Sequence, residues 1–199
     1  MLTEHSFGDI GYYCYEPQDA AGVRPVIFHI HGAGSRGCDL QMAAKNNPEL
    51  GYAAARSDFP FRIYGPQCSC DTWFDCYERL LSLVDFVREK EKDAPLYLTG
   101  ISMGGYCSWQ VLASRPDTFR RAIICCGGGM YWNAGRIKTP VRIFHGEQDT
   151  VVYPEESRRM AEALRRCGRD AALTIHPDLD HNVWSRVFSD PDNYAWLLS

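Results

Sequence analysis

The sequence has no run of apolar residues approaching the roughly 20 that a membrane-spanning helix needs, so no helical membrane span is expected. It has no surplus of basic charge either. Lys and Arg number 21 against 25 Asp and Glu, for a formal net charge of −4. That balance argues against partners recognised by charge, so neither nucleic acid nor an anionic membrane surface is expected. The opening Met-Leu-Thr-Glu-His-Ser-Phe lacks the basic start and apolar core of a signal peptide, and the expected localisation is cytoplasmic. There is no internal repeat, low-complexity tract or inter-domain linker. At 199 residues the chain reads as a single domain over 1–199, long enough to bury a real core.

The paired C-x₂-C spacing of a zinc site is also missing, although cysteine is not scarce. Nine cysteines are an odd number, which excludes complete intramolecular pairing. Cys107 and the pair Cys125-Cys126 fall in predicted core elements and read as small buried hydrophobes. Cys68-Ser69-Cys70 with Cys76 forms a cluster without further metal ligands nearby. Reduced thiols and no metal are expected, with a disulfide between Cys38 and this cluster left open.

What is present is a run of six residues, Gly100-Ile101-Ser102-Met103-Gly104-Gly105, directly after the apolar Pro95-Leu96-Tyr97-Leu98-Thr99. A G-x-S-x-G sequence between a buried strand and a helix is a nucleophile elbow, a sharp turn that lifts the serine hydroxyl clear of the sheet. The helix N-terminus beneath Ser102 offers N–H groups and a positive dipole to an oxyanion.

A serine hydroxyl needs a base, and the base needs an orienting acid. Residues 141–149 read as an apolar strand ending in a polar turn that carries Asp149, and residues 171–176 as another short strand, with His181 in the loop beyond. The order Ser102, Asp149, His181 places each group on the loop leaving a strand. Asp149 is preferred over Glu147, Asp178 and Asp180, because Asp180 adjoins His181 and adjacent side chains rarely reach the required geometry. His181 is preferred over His176, which still lies at the strand end. A third strand, Val26 to Ile30, runs into the glycine-rich His31-Gly32-Ala33-Gly34-Ser35-Arg36-Gly37. The backbone N–H groups of Ala33 and Met103 are the expected oxyanion donors, with Gly34 as the alternative to Ala33.

Along the rest of the chain, one edge strand is expected around Gly11 to Tyr15, followed by a loop rich in Ala and Gly. Residues 39–58 read as partly helical with a break at Asn46-Asn47-Pro48, and Phe61 to Tyr64 as a short strand. Asp75 and Glu78 suggest a capping box for a helix that puts Tyr77, Leu80, Leu81, Val84 and Val87 on one face. Pro154 and Gly168 bracket a further helix, and Trp184 to Leu198 reads as one or two short helices around Asp190-Pro191. Alternating strands and helices imply an α/β fold, with a mostly parallel sheet covered on both faces.

With these motifs in hand, the chain resembles the α/β-hydrolase superfamily. It is most similar to the small carboxylesterase/phospholipase and dienelactone-hydrolase-like group of serine esterases, over most of its length from residue 25. The resemblance implies Ser102 as nucleophile, Asp149 as orienting acid and His181 as base. It also implies trimmed N-terminal strands, about one, and no separate cap domain. Dienelactone hydrolases carry cysteine at the elbow where this chain has serine, so that specific activity is not implied. The loops at 65–76 and 127–136 are candidates to roof the pocket, with Trp73, Phe74, Tyr131, Trp132 and Arg36 as candidate substrate contacts.

The expected function is hydrolysis of small soluble carboxylic esters through an acyl-enzyme, with a small-molecule ester as substrate and no cofactor. A thioesterase or small-peptide hydrolase would use the same machinery, and a catalytically silent binding protein is the reading from another class. A histidine base must be neutral, which predicts activity falling as pH drops through roughly 6–7.

Overall fold

The computed structural model describes residues 1–17 and 22–199. Eight strands form one sheet: β1 (Leu2–Phe7), β2 (Ile10–Tyr15), β3 (Val26–Ile30), β4 (Arg62–Pro66), β5 (Leu96–Ile101), β6 (Arg121–Cys125), β7 (Val141–Gly146) and β8 (Ala171–His176). Their spatial order is β1-β2-β4-β3-β5-β6-β7-β8. The first two strands run antiparallel, and every pairing from β4 across to β8 is parallel.

The helices are α1 (Leu40–Lys45), α2 (Pro48–Ala54), α3 (Tyr77–Lys90), α4 (Met103–Ser114), α5 (Glu155–Arg166), α6 (Trp184–Val187) and α7 (Pro191–Leu198). Side chains alternate across the central strands and so feed two cores. Val26, Phe28, Ile30, Leu96 and Leu98 pack with α3, α4 and α5 on one face. Ile27, Tyr97 and Ile101 pack with α1, α2, α6 and α7 on the other. Strands covered on both faces read as continuous apolar runs, as β3 does with all five residues buried.

Several expectations change in detail. Two strands, not about one, occupy the N-terminal edge. β1 has no fully buried residue, so it carries no apolar period to read, and it is held by pairing with β2 around the turn at Gly8 and Asp9. The loop rich in Ala and Gly lies partly outside the described residues. The capping box before α3 joins Thr72 to Asp75, so Asp75 closes the box rather than opening it. The strand expected at Phe61 runs from Arg62 to Pro66. The break at Asn46-Asn47-Pro48 separates α1 from α2, with the Asn47 side chain capping Glu49 and Leu50 N–H groups.

The sheet order places the site. The chain winds from β3 toward β4 in one direction and from β5 toward β8 in the other, so the loops after β3 and β5 part at a switch point. Ligand sites in open α/β sheets form at that crevice, beyond the carboxyl ends of the strands.

The elbow helix meets the β3 loop at van der Waals limits. A Cβ on Gly104 would stand 2.0 Å from the Ile30 carbonyl oxygen and 2.6 Å from that of His31. Gly51, exposed within α2, has nothing within 4 Å of the same position. Gly104→Ala is therefore expected to destabilise by about 1–3 kcal/mol or more, through forced separation of α4 from β3. Gly51→Ala is expected to stabilise by roughly 0.5–1 kcal/mol, through lost chain freedom in the unfolded state. Urea titration of the two variants reads both signs.

Candidate active site

Ser102 sits between β5 and α4 with φ 54° and ψ −118°. Such a conformation costs a non-glycine residue about 1–3 kcal/mol and persists only where its surroundings fix it. Here the Ser102 N–H donates to the Cys125 carbonyl at 2.9 Å, and its carbonyl accepts from Tyr106 N–H at 3.0 Å. Gly100 makes the turn possible by absence: a Cβ there would lie 2.1 Å from Ser108 Oγ. Cys126, the one other described non-glycine residue with positive φ, at 42°, lies at the end of the neighbouring β6.

Ser102 Oγ is 2.9 Å from His181 Nε2, and His181 Nδ1 is 2.7 Å from Asp149 Oδ2. Asp149 is 2 % exposed, so both its oxygens must find donors within the protein. Oδ1 accepts the Val151 and Val152 N–H groups, each at 2.9 Å. Oδ2 accepts from His181 and also faces His145 Nε2 at 3.1 Å. His145 is itself fixed, because Nε2 faces the Val152 carbonyl at 2.8 Å and Nδ1 faces Ser157 Oγ at 2.7 Å. Two acceptors at Nε2 require that nitrogen to carry the hydrogen, which leaves Nδ1 to accept from Ser157. Burial works to raise the Asp149 pKa, but the bonds from His181, Val152 and Val151 outweigh it, and the carboxyl ends below its ordinary value. A carboxylate held charged in this way stabilises a positive charge on the imidazole it orients.

The loop after β3 forms a single turn of 3-10 helix, Ala33–Ser35, opposite the start of α4. Ser35 and Arg36 N–H groups close that turn on Gly32 and Ala33 carbonyls. The first N–H groups of a helical turn have no partner within it, and Ala33, Gly34 and Met103 hold such positions, the first two in the wall of the cavity that Ser102 lines. His31 braces this loop from below. Its Nδ1 donates to Gly32 O at 2.7 Å, its Nε2 accepts from Cys68 N–H at 3.0 Å, and its carbonyl accepts from Trp73 Nε1 at 3.0 Å. Burial pushes the His31 pKa down to about 4, so the ring stays neutral and keeps this one donor and one acceptor.

A cavity of about 500 Å³ opens over Ser102, with Ala33, Gly34, Ile101, Val151, His181 and Trp184 among its walls. The Trp184 ring meets that of His181 edge to face at 5.3 Å. None of the five expected substrate contacts lines it. Trp73 is wholly buried as a brace for His31, and Arg36 binds the Ala33 and Asp71 carbonyls. Phe74 borders a separate apolar cavity of about 230 Å³ beside α4, shared with Trp109, Met130 and Met160. Tyr131 and Trp132 are exposed and pack edge to face on one another. The 65–76 loop thus backs the oxyanion loop rather than roofing the cavity, and the 127–136 loop walls the second one.

The competing acids and base are engaged elsewhere. Glu147 pairs with Arg158, Asp178 with Arg186, and Asp180 accepts from Asn182 N–H. His176 stacks on Phe144. All nine cysteines are free, Cys38 included. Cys126 Sγ lies with ligand atoms of Asp149 and His181 inside 4.8 Å, but burial pushes its thiol well above the usual range and the other two are bonded to each other. Sequence reasoning did not find the partners of His145, Ser157, Gln67 and Cys68, because no spacing along the chain pairs them with the groups they support.

Residues 13–194 match the dienelactone hydrolase family. A thermostable esterase of known structure superposes with a TM-score of 0.86 at 27% identity, over 99% of this chain and 62% of that one. Est1E from Butyrivibrio proteoclasticus superposes with a TM-score of 0.77 at 13% identity, over 99% and 98% of the two chains. Among curated proteins, acyl-protein thioesterase 1 of Gibberella zeae is 39% identical over 46 residues, 23% of this chain and 20% of that protein. This chain spans less than two thirds of the thermostable esterase and about a fifth of the thioesterase. The match over nearly the whole length, on a sheet of the same architecture, establishes that the chain belongs to the dienelactone hydrolase family of the α/β-hydrolase superfamily.

Proposed function

We propose that the protein is a serine hydrolase acting on small carboxylic esters through an acyl-enzyme. The observation that carries this reading is the unbroken hydrogen-bonded chain from Ser102 through His181 to Asp149, ending at the cavity with main-chain donors beside it. His181 Nε2 takes the hydroxyl proton as Ser102 Oγ attacks the ester carbonyl. Asp149 holds the Nδ1–H and stabilises the imidazolium that forms. The N–H groups of Met103 and Ala33, or Gly34, hold the oxyanion, each donor being worth about 3 kcal/mol in the transition state. The alcohol departs with the proton from His181, and a water activated by the same nitrogen releases the acid. The walls formed by Ile101, Val151 and Trp184 suit an apolar acyl or alcohol group of modest size.

Hydrolysis of p-nitrophenyl esters from acetate to decanoate is expected for the wild type and not for Ser102→Ala, with a fluorophosphonate labelling Ser102 alone. Labelling without turnover of any ester, thioester or amide would count against this reading. Turnover of thioesters far above that of esters would move it to a thioesterase, the activity named for the short curated match. Asp149→Asn is expected to lower kcat by about 10³–10⁴-fold with the fold intact, since an amide presents the wrong partner to Nδ1–H.

The pH profile follows from the depressed Asp149 carboxyl. That group is ionised in the folded protein from neutrality down past the usual carboxylate value near 4, and its contribution to stability is lost only as pH falls through its lowered pKa. The acid limb of kcat/KM is therefore expected to fall tenfold per pH unit, a one-proton slope to which Asp149 adds nothing over the range where it stays ionised. A two-proton limb in stopped-flow or steady-state profiles would contradict the assignment.

A further inference from the structure

The cavity over Ser102 is also lined by a buried polar group that the proposed reaction does not use. His29, on β3, lines that cavity, and Glu49 of α2 lies behind it. Strand alternation brings them together. His29 and Thr99 are register partners across β3 and β5, and Ile27 and Ile101 at the neighbouring same-face positions pack toward α1 and α2. Glu49 is wholly buried, and its Oε2 is 3.1 Å from His29 Nδ1. That contact has ion-pair range but lacks hydrogen-bond alignment, and neither carboxylate oxygen has a hydrogen-bond donor among the described residues. Thr99 Oγ1 meets the same Nδ1 at 3.0 Å. The neighbouring Asn47 amide donates to Tyr13 Oη and makes no hydrogen bond to the carboxylate.

A carboxylate enclosed in this way cannot keep its charge unbalanced, because burying a lone ion costs several kcal/mol. A neutral ring with its hydrogen on Nδ1 would leave the buried acid O–H with no acceptor, so two electroneutral arrangements leave no buried hydrogen unpaired. In one, an imidazolium lies beside the carboxylate and both ring nitrogens carry hydrogen. In the other, the carboxylic acid turns its O–H to Nδ1, the one acceptor the ring offers it, and the neutral ring keeps its hydrogen on Nε2. Both place an N–H at Nε2. That atom has no hydrogen-bond partner among the described residues, and it is not among the enclosed unpartnered atoms, as His176 Nε2 is. Asn46 and Ser35, bonded to each other at 3.2 Å, line the same cavity.

We propose that His29, set by Glu49, forms a polar subsite that donates a hydrogen bond to a neutral oxygen of the substrate. The preferred substrates are then esters bearing a hydroxyl on the acyl or the alcohol part, over their plain alkyl counterparts. A net-neutral donor suits a hydroxyl better than a carboxylate, whose charge would meet Glu49 through the ring. The inference rests on the serine ester hydrolase reading above.

Two matched substrate pairs separate the acyl and alcohol sources: p-nitrophenyl butyrate with p-nitrophenyl 3-hydroxybutyrate, and ethyl butyrate with 2-hydroxyethyl butyrate. In at least one pair, the hydroxylated ester is expected to have about tenfold higher kcat/KM in the wild type. His29→Leu should bring that ratio near one, while His29→Gln, which keeps an N–H donor, should retain part of it. Nitrogen NMR of the histidine-labelled wild type supplies a reading independent of any variant, with Nε2 of His29 expected to be protonated. Equal kcat/KM within both pairs, with Ser102 still labelled by fluorophosphonate, would overturn the subsite and leave the hydrolase. An unprotonated Nε2 would also overturn it. Absence of both turnover and labelling would overturn the two readings together.

Discussion

The close seat of α4 on the carboxyl end of β3, with Gly104 directly against the Ile30 and His31 carbonyls, is the constraint on which the rest depends. It fixes the separation between the helix that starts at Met103 and the turn at Ala33–Ser35. The two sets of candidate oxyanion donors follow different strands, and this contact, together with the pairing of Ile30 with Gly100 beneath it, sets their spacing. It also holds Ser102 in a conformation its backbone would otherwise leave. An elbow that relaxed would swing the hydroxyl away from His181. The strain is balanced by packing that surrounds the turn on every side, from Cys125 to Ser108.

A second constraint is electrostatic. Asp149 is buried and still charged because each lone-pair direction meets a donor: two backbone N–H groups on one oxygen, two imidazoles on the other. His145 and Ser157 contribute nothing to the reaction directly. They remove the freedom that a carboxylate with unfilled valences would have to reorient. The cavity thus holds two carboxylate-backed histidines with different duties. His181 is partly open to the cavity with Nε2 2.9 Å from Ser102 Oγ, whereas His29 is pinned between Thr99 and Glu49.

The loop that carries the candidate oxyanion donors Ala33 and Gly34 is held by the segment that follows β4. The chain from Gln67 to Trp73 binds it through the Gln67 amide to Ser35 O, Cys68 N–H to His31, and the Trp73 indole to His31 O. Main-chain donors keep their aim only if the backbone behind them cannot shift, and these three bonds provide that support. Trp73, the one aromatic residue of this segment, is wholly buried and serves as part of that support rather than facing a ligand.

By itself the sequence determined seven of the eight strands described and the order in which Ser102, Asp149 and His181 follow three of them. Buried parallel strands are apolar throughout, and turns that bear strained or exposed groups need glycine at fixed offsets, so both leave a local imprint. Ser102, Asp149 and His181 were legible because each follows such a strand. β1 was not, because an exposed edge strand needs only backbone pairing. The walls of the cavity were not legible either. Trp73, Phe74, Tyr131, Trp132 and Arg36 all lie on loops at the correct edge of the sheet, yet which way a loop residue turns depends on contacts distant in sequence. The same holds for His145 with Ser157 and for His29 with Glu49, pairs 12 and 20 residues apart that no periodicity connects. Only the tertiary structure decided these, because a hydrogen bond between side chains is fixed by where whole elements pack.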